Sequence, residues 1–171
     1  MQFFADAQSM AIAPQSRAEL VQAVLPEQVE QVRALFLEYA DSLDFSLCFQ
    51  SFDEELKGLP GAYAPPNGRL LLANHQGQAA GCVALRPLEP KICEMKRLYV
   101  RPAFRGKGVG RLLVEGVTTE ARSVGYERMR LDTVESSMQD AIALYRRLGF
   151  REIAPYRTNP IPGALYLELL L

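Results

Sequence analysis

The segment from Leu98 to Gly110 constrains the fold more than any other part of the chain. It has the pattern of an apolar strand, a turn, a glycine-rich loop and the start of a helix. Glycines let backbone N–H groups approach a ligand without interference from a Cβ atom. A loop that opens directly into a helix also presents unpaired N–H groups and the positive end of the helix dipole, which together favour phosphate. Three basic residues, Arg105, Lys107 and Arg111, add positive charge around this loop.

Two common phosphate-binding motifs do not fit this loop. A Walker A loop requires Ser or Thr after its Gly-Lys pair, and here Gly106-Lys107 is followed by Gly108. A dinucleotide-binding fingerprint requires its third glycine one residue later than Gly110. The formal net charge of the chain is −1, and basic residues predominate between positions 86 and 131. This pattern favours a compact anionic ligand over a long nucleic acid.

Length and composition limit the organisation of the chain. Its 171 residues predict one domain over positions 17–171, preceded by a lead-in segment over positions 1–16. No apolar run approaches the roughly 20 residues of a membrane span, so no membrane partner is expected. The three cysteines are widely spaced and there is a single histidine, His75, which argues against a metal site. Free thiols favour a cytoplasmic location.

Hydrophobic periodicity predicts seven strands and four helices. The strands are expected over 19–24, 69–73, 78–86, 92–100, 127–133, 150–155 and 164–170. Helices are expected from Pro26, over 52–59, over 109–124 and from Ser137, where Ser137 and Asp140 have the spacing of a capping box. His75 falls in the predicted turn between the second and third strands, as a solvated residue. This order of elements predicts an α/β (α+β) fold, in which one mixed sheet has helices on both faces.

Three motifs together resemble a known family. Arg105-x-x-Gly108-x-Gly110 is similar to the (Arg/Gln)-x-x-Gly-x-(Gly/Ala) signature of GNAT superfamily N-acetyltransferases. The stretches Leu98–Pro102 and Ala141–Phe150 also resemble that family, in the expected order and separation. The similarity in element order spans positions 17–171, and the specific motifs lie within 94–150. The resemblance implies a mixed, mostly antiparallel central sheet flanked by helices on both faces.

The resemblance also implies an acetyl-CoA site. The glycine-rich loop would cradle the pyrophosphate, and the pantetheine arm would pair with Leu98 and Val100 like an added strand. The alternation of Ile92–Val100 is imperfect, and a bulge there would explain it and free a backbone N–H for the thioester oxygen. The cofactor-binding residues implied are Leu98, Tyr99, Val100, Arg105, Gly106, Lys107, Gly108, Val109, Gly110 and Arg111.

Acyl transfer to an amine needs a base for the ammonium proton and an acid for the leaving thiolate. Glu94 is the candidate base, because it lies in an apolar strand on the side expected to meet the ligand. Asp132 and Glu135 are lesser candidates. Tyr145 is the candidate acid, because the matching tyrosine of the family points at the thioester sulfur; a packed core tyrosine is the alternative. Cys93 is expected on the opposite strand face from Glu94, which favours direct transfer over a covalent enzyme intermediate.

The acceptor is expected to be a primary amine of a small molecule or amino acid. Acidic residues between positions 41 and 55 would suit a cationic acceptor, whereas Arg157 and Asn159 would hold a carboxylate, and the sequence leaves both open. A non-catalytic acyl-CoA-binding or regulatory module of the same fold is the alternative function. Nucleic-acid binding is not expected, because no aromatic platform accompanies the basic region. The apolar tail at 164–171 would form either a central strand or the edge of a homodimer.

Overall fold

The computed structural model describes residues 17–171, so the predicted lead-in segment at 1–16 lies outside the described residues. These residues form one seven-stranded sheet and four α-helices. The strands are β1 Glu19–Gln22, β2 Arg69–His75, β3 Gln78–Glu89, β4 Ile92–Val100, β5 Arg128–Val134, β6 Arg151–Glu152 and β7 Ala164–Leu170. The helices are α1 Pro26–Asp41, α2 Phe52–Gly58, α3 Val109–Val124 and α4 Gln139–Arg147.

The sheet has the mixed, mostly antiparallel character expected from the sequence. Its strand order is β1-β2-β3-β4-β5-β7-β6. Every neighbouring pair is antiparallel except β4 and β5, which α3 connects as a parallel crossover. β7 pairs with β5 along its whole length and with β6 over two residues, so the apolar tail forms a strand inside the sheet.

Helices cover both faces of the sheet. On one face α1 contributes Val32, Leu35 and Phe36, all completely buried. On the other face α3 contributes Leu113 and Val117, which are also completely buried. Each such side chain stabilises the fold by roughly 1.5–3 kcal/mol relative to an exposed one. None of the helices between residues 17 and 171 is long and apolar enough to cross a membrane.

The turn between β2 and β3 differs from the sequence prediction. His75 is the last residue of β2, half-buried, with its ring centroid 5.6 Å from that of Phe104. The turn itself is Gln76-Gly77, and both residues have a positive φ. The interpretation of His75 as a solvated turn residue is therefore wrong, because packing on Phe104 extends the strand by two residues.

The predicted capping box of α4 does not form. The helix begins at Gln139 with Met138 as its N-cap, which makes no side-chain cap. Ser137 instead donates its hydroxyl to Asp44 Oδ1 at 2.8 Å, a contact between segments far apart in the chain. The Ser137 hydroxyl therefore makes a tertiary hydrogen bond and does not cap the helix as the local sequence pattern predicted.

Candidate active site

β4 and β5 diverge and leave a cleft at the centre of the sheet. The two strands pair only over three residues, Ile92–Glu94 with Arg128–Arg130. Beyond Glu94, within residues 17–171, the edge of β4 that faces β5 has no strand partner. The resulting cleft is lined by Met95–Leu98 from β4, Leu131–Val134 from β5, Tyr39 from α1 and Tyr145 from α4.

A bulge in β4 decides which side chains face which side of the sheet. Arg97 has a φ of 59°, in the left-handed region, and the register with β3 shifts between Cys82 and Ala84. Lys96 and Arg97 consequently both lie on the face that α1 and α2 cover. Leu98 packs on the opposite face, in the cluster built around α3. The bulge predicted from the imperfect alternation is confirmed.

The glycine-rich loop has the backbone expected of an anion cradle. Gly106 and Gly108 have φ of 73° and 79°, a conformation that glycine adopts without a Cβ penalty. Gly108 is the N-cap of α3, and Leu112 N–H donates to its carbonyl at 3.0 Å. The N–H groups of the first helical turn therefore lack partners within the helix and are available to a ligand.

Three basic side chains surround this loop in different ways. Arg105 donates from Nε to the carbonyl of Val100 at 2.9 Å, which ties the loop to the end of β4. Lys107 Nζ lies 5.7 Å from the centre of the Phe104 ring. Arg111 forms an exposed ion pair with Glu115 at 2.8 Å. Since a surface pair of this kind is worth at most about 1 kcal/mol, Arg111 can exchange it for an anionic ligand.

Tyr145 lies at the floor of the cleft. Its side chain is buried, and its ring centroid is 5.5 Å from that of Phe150. Burial raises the pKa of Tyr145 above its ordinary value, so the phenol keeps its proton at neutral pH. The tyrosine therefore packs in the core and also lines the cleft, which reconciles the two interpretations of its sequence position.

Glu94 is held by a network of hydrogen bonds. It is fully buried on the α1 and α2 face, and its oxygens already accept several hydrogen bonds. Arg86 donates to Oε1 from Nε at 2.9 Å and approaches it with Nη2 at 2.8 Å, while Tyr156 donates its hydroxyl to Oε2 at 2.9 Å and Arg157 pairs with the same oxygen. These donors occupy the lone pairs that a general base would need. A base role for Glu94 stays a prediction.

Lys96 is a functional candidate that the sequence analysis did not identify. Its Nζ lies 3.8 Å from Glu94 Oε1 and donates to Gln50 Oε1 at 3.1 Å. Burial, followed by the charges of Arg97 and Arg86, lowers the pKa of Lys96 to about 8. The only signal in the sequence was a lysine two residues from Glu94 in an apolar strand, which by itself does not separate a surface residue from a buried one.

Asp132 is the carboxylate that lines the cleft. It lies in β5, is half-buried and accepts one hydrogen bond, from Asn159 Nδ2 to Oδ2 at 3.0 Å. Glu135, the other lesser candidate, is exposed beyond the end of β5. The structure thus brings Asp132 and Tyr145 to the same cleft, and it leaves Glu94 beneath a neighbouring cavity.

Cys93 lies on the opposite face from Glu94, as predicted. It is fully buried in the cluster around α3, and burial raises the pKa of its thiol to about 12. A thiol of this kind is not a thiolate at neutral pH, and the thiolate is the nucleophilic form. Among residues 17–171, no group of three or more His, Cys, Asp or Glu side chains is arranged to hold a metal ion.

Comparison with known proteins identifies the family. The model of the acetyltransferase (GNAT) family matches residues 29–150. The chain belongs to the GNAT acetyltransferase family. An uncharacterized N-acetyltransferase of Schizosaccharomyces pombe is 41% identical over 147 residues, which cover 85% of this chain and 90% of the relative. An IAA acetyltransferase of Azospirillum brasilense is 36% identical over 107 residues, which cover 61% of this chain and 69% of the relative.

Solved structures of the family share the fold. A GNAT acetyltransferase of Staphylococcus aureus superimposes with a TM-score of 0.73 at 17% identity, covering 89% of this chain and 98% of the other. The GNAT resemblance drawn from the sequence motifs is therefore confirmed, and the chain is an N-acetyltransferase of this family. In this GNAT chain the predicted cofactor-binding residues follow one another from the end of β4, through the glycine-rich loop, into the first turn of α3.

Proposed function

We propose that this GNAT enzyme transfers an acetyl group from acetyl-CoA directly to the primary amine of a small molecule or amino acid, in a ternary complex. One observation carries the proposal. The unpaired edge of β4 and the Tyr145 side chain line one cleft, and the glycine-rich loop adjoins the end of β4, where Arg105 donates to the Val100 carbonyl and Gly110 lies next to Val100 and Leu144.

The residues of this region fit acetyl-CoA. The N–H groups from Gly106 to Arg111, with the charges of Arg105 and Lys107, suit a pyrophosphate. The free edge of β4 at Leu98–Val100 offers backbone groups to the amides of a pantetheine arm. When bound, acetyl-CoA supplies an activated thioester whose carbonyl carbon accepts the amine.

The proton transfers are assigned to two side chains in the cleft. Asp132 has one hydrogen-bond donor, Asn159, so its carboxylate retains lone pairs that can accept the proton of an acceptor ammonium. Glu94 was the base predicted from the sequence, and it is already held by Arg86, Tyr156 and Arg157. We therefore favour Asp132 as the base and Tyr145 as the acid that protonates the leaving thiolate.

The position of Cys93 supports direct transfer. Cys93 is buried on the α3 face of the sheet as a protonated thiol, and so it does not present a nucleophile to the cleft.

The absence of disulfides among Cys48, Cys82 and Cys93, all free thiols, supports a cytoplasmic location. A homodimer and the lack of nucleic-acid or membrane partners stay predictions.

The experiment that tests this function is a thiol-release assay. Purified protein with acetyl-CoA is given a panel of primary amines, and free CoA is detected as it appears. We expect release that depends on the amine, with mass spectrometry showing the acetylated amine as product. Binding of CoA without amine-dependent release for any acceptor would contradict the enzyme assignment and favour a non-catalytic CoA-binding module.

A further inference from the structure

Four cationic side chains converge on a cavity of about 500 Å³ next to the cleft. The cavity lies between α2, the loop that follows it and the central strands β3 and β4. The cations are Arg86 from β3, Lys96 and Arg97 from β4, and Arg157 from the loop before β7. The members of this cluster come from separate stretches of a chain with almost no net charge.

The charges of this cluster are not balanced by protein carboxylates. Arg97 is neutralised by Glu55, which accepts from Nε at 3.0 Å and from Nη2 at 2.8 Å. The other three cations, Arg86, Lys96 and Arg157, share the single carboxylate of Glu94. Buried and half-buried cations repel each other strongly, because the effective dielectric constant inside a protein is low. With the exposed Glu54 included, the four cations face three carboxylates, so the cavity still holds an excess of positive charge that an anionic group would relieve.

The cluster also retains hydrogen-bond donors that lack a protein partner in the part of the chain that the structure describes. The Nε atom of Arg157 is buried and has no hydrogen-bond partner within residues 17–171. A buried unsatisfied donor costs about 1–3 kcal/mol, and more when it is charged. Lys96 uses one of its three donors on Gln50. An arginine fork and an ammonium at one site suit a carboxylate, which accepts up to four hydrogen bonds.

The rest of the cavity fits a small organic molecule that reaches the cleft. Its wall includes the apolar side chains of Phe49, Leu59 and Pro60. Lys96 borders both the cavity and the cleft that holds Tyr145, so the two spaces meet at this residue. A molecule bound by its anionic end at the cationic cluster can therefore extend another group toward the reacting region.

The acidic residues that suggested a cationic acceptor do not oppose this arrangement. Asp41, Asp44, Asp53 and Glu54 are exposed, and Asp44 accepts a hydrogen bond from Ser137. Glu54 and Glu55 both line the cavity; Glu54 is exposed to solvent, and Arg97 neutralises Glu55. The sequence left open a cationic acceptor and an acceptor that carries a carboxylate. The position of Arg157 in the cavity supports the carboxylate.

We propose that the acceptor is an amine that carries a carboxylate, as an amino acid does, and that Arg157, Lys96 and Arg86 bind this carboxylate. The proposal rests on the proposed acetyltransferase function and specifies its substrate class. The carboxylate sits on the cationic cluster, the apolar part of the molecule lies against Phe49 and Leu59, and the amine faces Asp132.

The first test compares acceptors in matched pairs. Each of several amino acids, such as leucine, phenylalanine and glutamate, is paired with the amine that lacks its α-carboxylate, and CoA release is measured for both. Rates are corrected for the fraction of unprotonated amine. We expect kcat/KM to be at least tenfold higher for the amino acid in the pairs that react. Amino-phosphonate analogues are included, since a preference for the phosphonate over the carboxylate would overturn the assignment to carboxylates.

The second test removes the cation that has an open donor. Arg157→Gln is expected to raise the KM for the amino acid at least tenfold and to reduce the kcat/KM preference for the amino acid over its decarboxylated partner by a similar factor. Arg157→Lys is expected to restore part of the amino-acid affinity. Arg128→Gln is the matched control, because it removes one half-exposed cation at the start of β5 that pairs with Glu168 and does not line the cavity. Thermal unfolding of each variant shows whether the fold is kept.

The possible failures are distinguishable. If CoA binds but no amino acid exceeds its decarboxylated partner, the carboxylate assignment is overturned and the proposed function is not. If neither CoA binding nor any turnover is found, the proposed function itself fails. Equal losses for both members of a pair in Arg157→Gln would also contradict the proposal, because they would show a structural role for Arg157 rather than recognition of a carboxylate.

Discussion

Lys96 and Leu98 stand two residues apart in β4, yet their side chains lie on opposite faces of the sheet. In a regular strand, residues two apart share a face. Because Arg97 has a left-handed conformation, Lys96 and Arg97 share one face, and the alternation of side chains resumes at Leu98 on the other face. The result is a strand whose first half directs Glu94 and Lys96 to the face that α1 and α2 cover, while its second half directs Leu98 and Val100 into the core around α3.

Replacement of Tyr145 tests its assignment as the acid. Tyr145→Phe removes the hydroxyl and keeps the ring that packs on Phe150. We expect kcat to fall by about 10²-fold, the usual range for loss of a general acid, with CoA affinity and melting temperature nearly unchanged. Steady-state CoA release and thermal unfolding check both parts. An unchanged kcat would leave Tyr145 as a core residue only.

Steady-state CoA release and thermal unfolding also compare the roles of Asp132 and Glu94. Asp132→Asn is expected to lower kcat by about 10²-fold and to leave the melting temperature nearly unchanged, because Asp132 has only Asn159 as partner. Glu94→Gln is expected to destabilise the fold by about 3–5 kcal/mol, because it leaves Arg86, Lys96 and Arg157 without their shared countercharge. The reverse pattern, a stable Glu94→Gln without turnover, would show that Glu94 is the base.

The glycines of the loop are expected to differ in sensitivity. Gly108 has a φ of 79°, so Gly108→Ala places a side chain in the left-handed region at a cost of about 1–2 kcal/mol. Gly110 has no such conformation, and a Cβ there would lie 3.6 Å from Leu144, an ordinary contact. We expect calorimetry to show CoA affinity reduced at least tenfold by Gly108→Ala and changed less than threefold by Gly110→Ala. Equal changes of CoA affinity in the two variants would show that CoA binding does not depend on the left-handed conformation of Gly108.

The lowered pKa of Lys96 predicts how stability depends on pH. Its pKa of about 8 lies below the ordinary value of 10.5, so between these values the unfolded chain binds more protons at this site. The contribution of Lys96 to the free energy of unfolding therefore rises by about 1–2 kcal/mol between pH 8 and pH 9.5. Urea unfolding of the wild type and of Lys96→Met measures it, since the variant lacks this rise. If the free energy of unfolding of the wild type and of Lys96→Met depended on pH in the same way, the lowered pKa of Lys96 would be contradicted.

Local patterns predicted most elements because those elements depend on local chemistry. The bounds of β4, α3 and β7 agree with the sequence prediction, since strong periodicity and the glycines at both ends of α3 define them. The strand expected at 150–155 shortens to Arg151–Glu152, and β3 extends to Glu89 beyond its expected end at position 86. Pairing with neighbouring strands sets these limits, and pairing is not visible in one strand's own sequence.

The candidate site was predictable where one continuous segment forms it. Residues from Leu98 to Arg111 follow one another in the chain, so the motif shows them together. The cationic cavity joins Arg86, Lys96 and Arg157 across three segments, and the sequence contained no spacing that relates them. Glu94 was proposed as the base from its place in an apolar strand, and its local sequence does not show the donors Arg86, Tyr156 and Arg157, which come from other segments.

Calorimetric titration of the purified protein with acetyl-CoA and CoA, with ADP and NAD as controls, measures whether the loop before α3 and the free edge of β4 bind acetyl-CoA. We expect micromolar binding of both CoA species at one site per chain, with much weaker binding of ADP and NAD. No binding of either CoA species, or equal binding of NAD, would contradict the assignment of the site and the acetyl transfer built on it.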